Sequence, residues 1–367
     1  MLRFIHAADL HLDAPFAALS PEQARGRRAE QRELLSRLAA LCEEEKAEVL
    51  LLSGDLLDGE RVYYETTQAL AKALCSVKAR VFLAPGNHDF YSPRSPYASV
   101  AWPENVHLFT SDTVEEVELS ELGCTVCGAA FTAPWCDTSP LKGYAAPRDG
   151  KKRLMVLHAD VEGKGRYGSI TREDIAMSGV AYLALGHVHA CSGLQREGET
   201  FWAYPGCAEG RGFDELGDKG VLSGVLRDDG SVEVRFVPLA AHRYRILTVD
   251  LTGAEKAAVA LSAALPGDAS ADLARIILTG ERGEETLDLE ALTALAAPYF
   301  SAVTLRDETR PGADVWARLQ EDTLTGLFLR ELRARLEGAA GDMQRRLAER
   351  AVRFGLAALE NREEADK

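Results

Sequence analysis

The 367-residue chain has little of several things, and each shortage narrows what it does. No apolar run approaches the ~20 residues a membrane-spanning helix needs, so no membrane association is expected. Its seven cysteines are an odd number without paired spacing, which argues against a disulfide framework and for a reducing cytoplasm. Cys124 and Cys127 form half a zinc knuckle, but no second C-x-x-C exists, and two small packed strand side chains are the simpler reading. A Gly-x-x-x-x-Gly-Lys-Ser/Thr loop is missing, which excludes ATP binding of that kind. The first motif begins by Asp9, so no signal peptide is expected before it. Positive charge is short as well: 42 Lys and Arg against 57 Asp and Glu leave −15. That balance disfavours a stand-alone nucleic-acid binder unless the surface is locally basic or a partner supplies the groove.

What the chain does have is apolar content, 46%, enough for one large core and a smaller domain. Strand-like and helix-like stretches alternate, which favours an α/β architecture. Ser20-Pro21-Glu22 opens a long helix, with Ser as N-cap and Pro in the first turn. Leu34, Leu35, Leu38 and Leu41 then recur at helical spacing. Five apolar runs, Leu2–Ala7, Glu48–Leu52, Arg80–Leu83, Arg153–Leu157 and Ala181–Leu185, read as strands. Each is followed by a possible metal ligand: Asp9-Leu10-His11, Gly54-Asp55, Gly86-Asn87-His88-Asp89, His158, and Gly186-His187-Val188-His189. In such sheets ligands bind beyond the carboxyl ends of the strands, where loops converge. Asp, Asn and His gathered at one edge suit two borderline divalent ions sharing a carboxylate. These spacings point to a two-metal hydrolase.

The order DxH, GD, GNHD, H, GHxH resembles the calcineurin-like metallophosphoesterases. The opening Phe4-Ile5-His6-Ala7-Ala8-Asp9-Leu10-His11-Leu12-Asp13-Ala14-Pro15-Phe16 is similar to the SbcD/YhaO branch of DNA-repair nucleases. So are Tyr204-Pro205-Gly206, Gly210-Arg211-Gly212-Phe213 and Gly217-Asp218-Lys219-Gly220; the likeness covers about residues 1 to 240. It implies a four-layer α/β/β/α sandwich with a smaller C-terminal α+β cap domain. It also implies one metal on Asp9, His11, Asp55 and His189, and a second sharing Asp55 and adding Asn87, His158 and His187. Imidazole with carboxylate suits manganese, iron or zinc better than magnesium; the resemblance selects Mn(2+). His88 is expected to face the substrate, stabilise phosphoryl oxygens and protonate the leaving alkoxide. Asp89 is expected to join it catalytically by orienting it, or to brace the turn. Asp58 supports a ligand or merely forms a turn.

His6, inside a strand, reads as a core or supporting residue, and His107 and His242 as plain loop histidines. Arg25, Arg27, Arg28 and Arg32 form a basic run that is either a solvated helix face or a track for phosphates. The loop after His158 offers Lys164 and Arg166 for phosphates and Tyr167 for stacking on a base. The resemblance implies a DNA exonuclease that also nicks single strands, working with an SMC-like coiled-coil ATPase of the SbcC/YhaN type. A small-nucleotide phosphoesterase stays open, as does a homodimer. A catalytically silent scaffold is disfavoured, because every ligand position holds a competent residue. Three regions are expected: a nuclease domain over 1–240, a small α/β domain over 241–310, and a helical segment over 311–367. In that segment Asp314–Leu336 and Asp342–Leu359 read as amphipathic helices before a charged, frayed end.

Overall fold

A computed structural model describes residues 1–17, 19–59, 62–282 and 287–359. The chain divides into two compact units, Met1–Ala241 and His242–Lys367.

The first unit holds, in chain order, β1 (Leu2–Ala7), α1 (Pro21–Glu44), β2 (Val49–Leu52), α2 (Tyr64–Ser76), β3 (Arg80–Leu83), β4 (Val106–Leu108), β5 (Glu115–Leu119) and β6 (Cys124–Gly128). It continues through β7 (Lys152–His158), α3 (Arg172–Ser178), β8 (Tyr182–Gly186), β9 (Gln195–Glu197), β10 (Thr200–Ala203), β11 (Gly220–Leu226) and β12 (Val232–Pro238). One six-stranded sheet runs β12-β11-β1-β2-β3-β4 and the other β5-β6-β7-β8-β10-β9. Strands β1 to β4 are parallel, as are β6, β7, β8 and β10.

Burial on both faces explains why these strands read as unbroken apolar runs. In β2, Val49 and Leu51 face the opposite sheet, together with Phe4, Phe82, Val126, Leu154 and Tyr182. Leu50 and Leu52 face the other way, against Leu34, Leu38, Leu70 and Leu74 of α1 and α2. The second sheet is covered outside by α3 and by loop residues such as Leu141 and Tyr204. The layers are therefore α/β/β/α, with a thin fourth layer containing one seven-residue helix. Helix α1 begins as its sequence requires: the Ser20 hydroxyl accepts from the Gln23 amide, and the Gln23 side chain returns to the Ser20 N–H.

The second unit opens with β13 (Arg243–Asp250), α4 (Ala257–Ala264), β14 (Asp272–Thr279), β15 (Glu281–Arg282), α5 (Leu289–Ala296) and β16 (Ala302–Asp307). Strands β13, β14 and β16 are all parallel, so this sheet is α/β in kind, with Leu261 and Leu292 of the helices packed on Ile276 and Leu278. After β17 (Arg310–Pro311) come α6 (Ala313–Ala317), α7 (Leu324–Glu337) and α8 (Asp342–Leu359). The single helix expected over Asp314–Leu336 is thus broken. Glu321 is extended at ψ 136, and Thr323 restarts the helix by accepting from the Gly326 amide at 3.1 Å. The charged end expected to fray, 360–367, lies outside the described residues. Among the described residues no helix is long and apolar enough to cross a membrane.

Candidate metal centre

The five loops follow β1, β2, β3, β7 and β8, and all leave the carboxyl ends of their strands. The loop after β1 continues alongside the loop after β2, with Asp9 N–H donating to the Gly54 carbonyl and His11 N–H to that of Asp55. Asp9, His11, Asp55 and His187 all have positive φ, at 51°, 43°, 50° and 109°. Such backbone costs about 1–3 kcal/mol per residue and clusters at functional sites. Gly54 must be glycine: its φ is +84°, and a Cβ there would lie 2.5 Å from His158 Nδ1.

Among the described residues four groups of donors form here: Asp9, His11 and His189; Asp9, Asp55 and His158; His11, Asp58 and His88; and His189, Cys207 and Glu215. The first two draw only on the ligands expected from the sequence and make the first and second group. In the first, Nε2 of His11 and Nε2 of His189 are 3.2 Å apart. Each ring uses its Nδ1–H elsewhere: His11 donates to Asp58 and His189 to Glu215, both at 2.7 Å. Two nitrogen lone pairs therefore face each other, an arrangement a cation between them relieves. In the second, His158 donates Nδ1–H to the Ser53 carbonyl at 3.0 Å, which turns Nε2 toward Asn87 Oδ1 at 3.0 Å and Asp55 Oδ2 at 3.4 Å. Again three electron-pair donors converge. Asp55 Oδ2 also lies 3.9 Å from His11 Nε2, so this carboxylate stands between both groups.

Electrostatics point the same way. Asp9, fully buried, is pushed up to about 7 by burial, which the neighbouring His158 only partly offsets. Burial also acts against Asp55, but His158 and His11 outweigh it and hold the carboxyl below its usual range. On His158 burial opposes charge, yet Asp55 prevails and pushes the ring up to about 9. Buried carboxylates here are short of positive charge, which a cation at the converging donors would supply. The donor set fits divalent ions: Asp9, His11 and His189 for one, Asn87 and His158 for the other, with Asp55 placed to touch both.

His187 stands slightly apart from these donors. Its ring packs edge-on against His158 at 5.2 Å and tilts against Tyr167 at 5.1 Å. The His88 side chain is 46% exposed, the ring lying over His11 with Nδ1 3.9 Å from Asp58 Oδ1. That position suits a group meant for substrate.

Of the two roles expected for Asp89, orienting His88 or bracing the turn, its hydrogen bonds match the second. It is fully buried, accepting N–H groups from Gly86, Asp55, Leu56 and Leu57 and the Tyr97 hydroxyl. It braces the β2 and β3 loops against each other. His6 is a support: it links Tyr182 and Ser53 across the sheets, and burial holds its ring down at about 3, hence neutral.

The basic run on α1 is mixed: Arg25 is exposed to solvent, and the other three have partners. Arg27 is buried on Glu209, Arg32 reaches Asp13, and Arg28 meets the Pro15 carbonyl. Arg28 and Arg32 thereby hold the loop after β1, and Arg27 ties α1 to the segment after β10. Lys164 is exposed. Arg166 is held by both oxygens of Asp137 and lies over the Trp135 ring at 5.1 Å, so a phosphate must compete for it. Cys124 and Cys127 are buried strand residues. Asp58 proves to be a support, and three residues carried no assigned role in the sequence: Glu215, Arg211 and Ser53. The Gly-Arg-Gly-Phe stretch held the only signal, and it names no partner.

Facing imidazoles and a shared carboxylate at the edge of an α/β/β/α sandwich form a donor set suited to divalent metal ions. Residues 2–191 match the model of the calcineurin-like phosphoesterases, and the chain belongs to that family. It is 32% identical, over 247 residues, to the uncharacterized metallophosphoesterase YhaO of Bacillus subtilis (strain 168). That match covers 63% of this chain and 59% of the relative, so the chain spans less than two thirds of the relative's length.

Proposed function

We propose that this metallophosphoesterase is a DNA phosphodiesterase, an exonuclease that also nicks single strands, acting in repair or end processing with Mn(2+) as its ion. The observation that carries the nucleic-acid reading is an aromatic ledge beside the metal site. Tyr167, 40% exposed, rests on His187, and Trp135, 51% exposed, is held nearby under Arg166. Segments 135–137 and 166–168 are tied together by Cys136 N–H to the Arg166 carbonyl and Gly168 N–H to the Cys136 carbonyl. Exposed rings on a fixed ribbon next to a phosphoryl site provide a surface on which unpaired bases stack.

Divalent ions held by Asp9, His11, Asp55, Asn87, His158 and His189 would supply an activated water and offset charge on the phosphoryl oxygens. His88 does the remaining work from the chain's side: its ring hydrogen-bonds a phosphoryl oxygen and passes a proton to the leaving 3′ or 5′ alkoxide. Asp58 and the edge-on ring of His11 set where His88 sits. The chain's −15 charge opposes tight DNA binding on its own, and this favours an SMC-like coiled-coil ATPase as partner. Leu324 and Leu327 of α7 and Met343 and Leu347 of α8 are exposed and offer it apolar contact. The substrate test compares single-stranded oligonucleotides with bis(p-nitrophenyl) phosphate and cyclic nucleotides, with and without Tyr167→Ala. Preference for oligonucleotides that falls about tenfold in the variant is expected, stacking being worth about 1–3 kcal/mol per base. Faster turnover of the small substrates, unchanged in the variant, refutes the DNA reading in favour of a small-nucleotide phosphoesterase.

A further inference from the structure

The histidines of the two donor groups are oriented by chemically different partners. His158 leans on a neutral backbone carbonyl, that of Ser53. His11 and His189 lean on carboxylates, Asp58 and Glu215. One guanidinium joins those two carboxylates. Arg211 donates from Nη1 to Asp58 Oδ1 at 3.1 Å and from Nη2 to Glu215 Oε1 at 3.0 Å, while its backbone N–H reaches Glu215 Oε2 at 2.7 Å. Nη2 also lies 3.2 Å from His189 Nδ1, because both aim at the same Glu215 oxygen.

From this geometry we infer that Arg211 is a positioning residue for one metal only, locking Asp58 and Glu215 so that His11 and His189 present Nε2 to a common point. The inference rests on the two-ion reading of the site. Arg211 is a side chain from the segment after β10, whereas Asp58 follows β2, so the guanidinium closes a ring: His11, Asp58, Arg211, Glu215, His189. Breaking the ring frees two imidazoles at once and leaves the Ser53–His158 support untouched. A fork is required, since two carboxylates on different loops must be held simultaneously, and a lysine ammonium lacks the rigid paired donors. Loss of an orienting partner typically lowers metal affinity about 10–100-fold.

The experiment is calorimetric titration of Mn(2+) into the metal-free full chain, with bound metal counted by elemental analysis. Wild type is expected to take up two ions. Arg211→Met is expected to weaken one binding event about 10–100-fold and leave the other unchanged, and Arg211→Lys to show the same selective loss. His158→Ala is expected to weaken the other event. Equal weakening of both events in Arg211→Met, no weakening, or weakening of the event that His158→Ala removes overturns the inference. Should Arg211→Met fail to fold, the lysine variant decides by the same criteria. A wild-type chain that binds a single ion counts against the two-ion reading instead. Even then, an affinity unchanged in Arg211→Met overturns the clamp, and a reduced one upholds it.

Discussion

Replacing Asp89 with asparagine removes a single charge and almost no volume, and the structure says it should be costly. Oδ1 accepts from the Gly86 and Asp55 amides at 2.7 and 3.3 Å. Oδ2 accepts from the Leu56 and Leu57 amides at 2.7 and 3.1 Å and from the Tyr97 hydroxyl. Asparagine keeps one oxygen and exchanges the other for an NH2 group. Whichever way the amide turns, that group faces two or three donors that lose their acceptor, in a place with no solvent access. An orphaned buried donor costs about 1–3 kcal/mol, so losing two or three puts Asp89→Asn at about 2 kcal/mol or more out of a total stability of about 5–15 kcal/mol. Urea unfolding should show a lowered midpoint with an unchanged slope. Turnover should fall about 100-fold or more, because Asp55 and Asn87 sit on the two loops that Asp89 ties, and misplacement near 1 Å has that effect. A loss below about 1 kcal/mol would refute the bracing argument. Full stability with no turnover would refute it too, and would return Asp89 to the reacting groups.

Other outcomes follow from the same geometry. Asp55→Asn, altering a carboxylate that lies within reach of both His11 and His158, should abolish turnover and lower the bound manganese measured by elemental analysis. His88→Ser should keep all its metal yet slow hydrolysis about 10²–10⁴-fold; metal loss in that variant would show that the Asn87-His88 turn has been read wrongly. Gly186→Ala should destabilise the fold and weaken metal uptake, since its Cβ would stand 1.8 Å from the Ser53 carbonyl that orients His158. Deleting residues 311–367 should abolish capture of a coiled-coil ATPase in a pull-down, while retained capture would remove the C-terminal helices from that role.

The loops were legible in the sequence because each ligand follows directly on an apolar run, and a strand buried on both faces has no other way to read. Leu50 and Leu51 point to opposite layers, yet both must be apolar, so Asp55 a few residues on marks the strand's end. Short-range chemistry was legible for the same reason, as the capping box at Ser20 shows. Partners distant in sequence were not. Nothing around Arg211 announces that it meets Asp58, 153 residues away, because the meeting is made by sheet order and not by spacing. The same holds for Arg27, whose neighbours suggest a solvated helix face until the fold delivers Glu209 to it, 182 residues on. Charge counting misleads at such places: Arg27 belongs to a run that reads as surface, yet it is an internal support. The break in the helix expected over Asp314–Leu336 has a related cause. Leu324, Phe328, Leu332 and Leu336 keep helical spacing, but periodicity reports which residues share a face once a helix exists. Where the helix begins was written instead in Thr323, a capping residue three positions before Gly326, and local caps decide between one long helix and two short ones when the apolar pattern permits both.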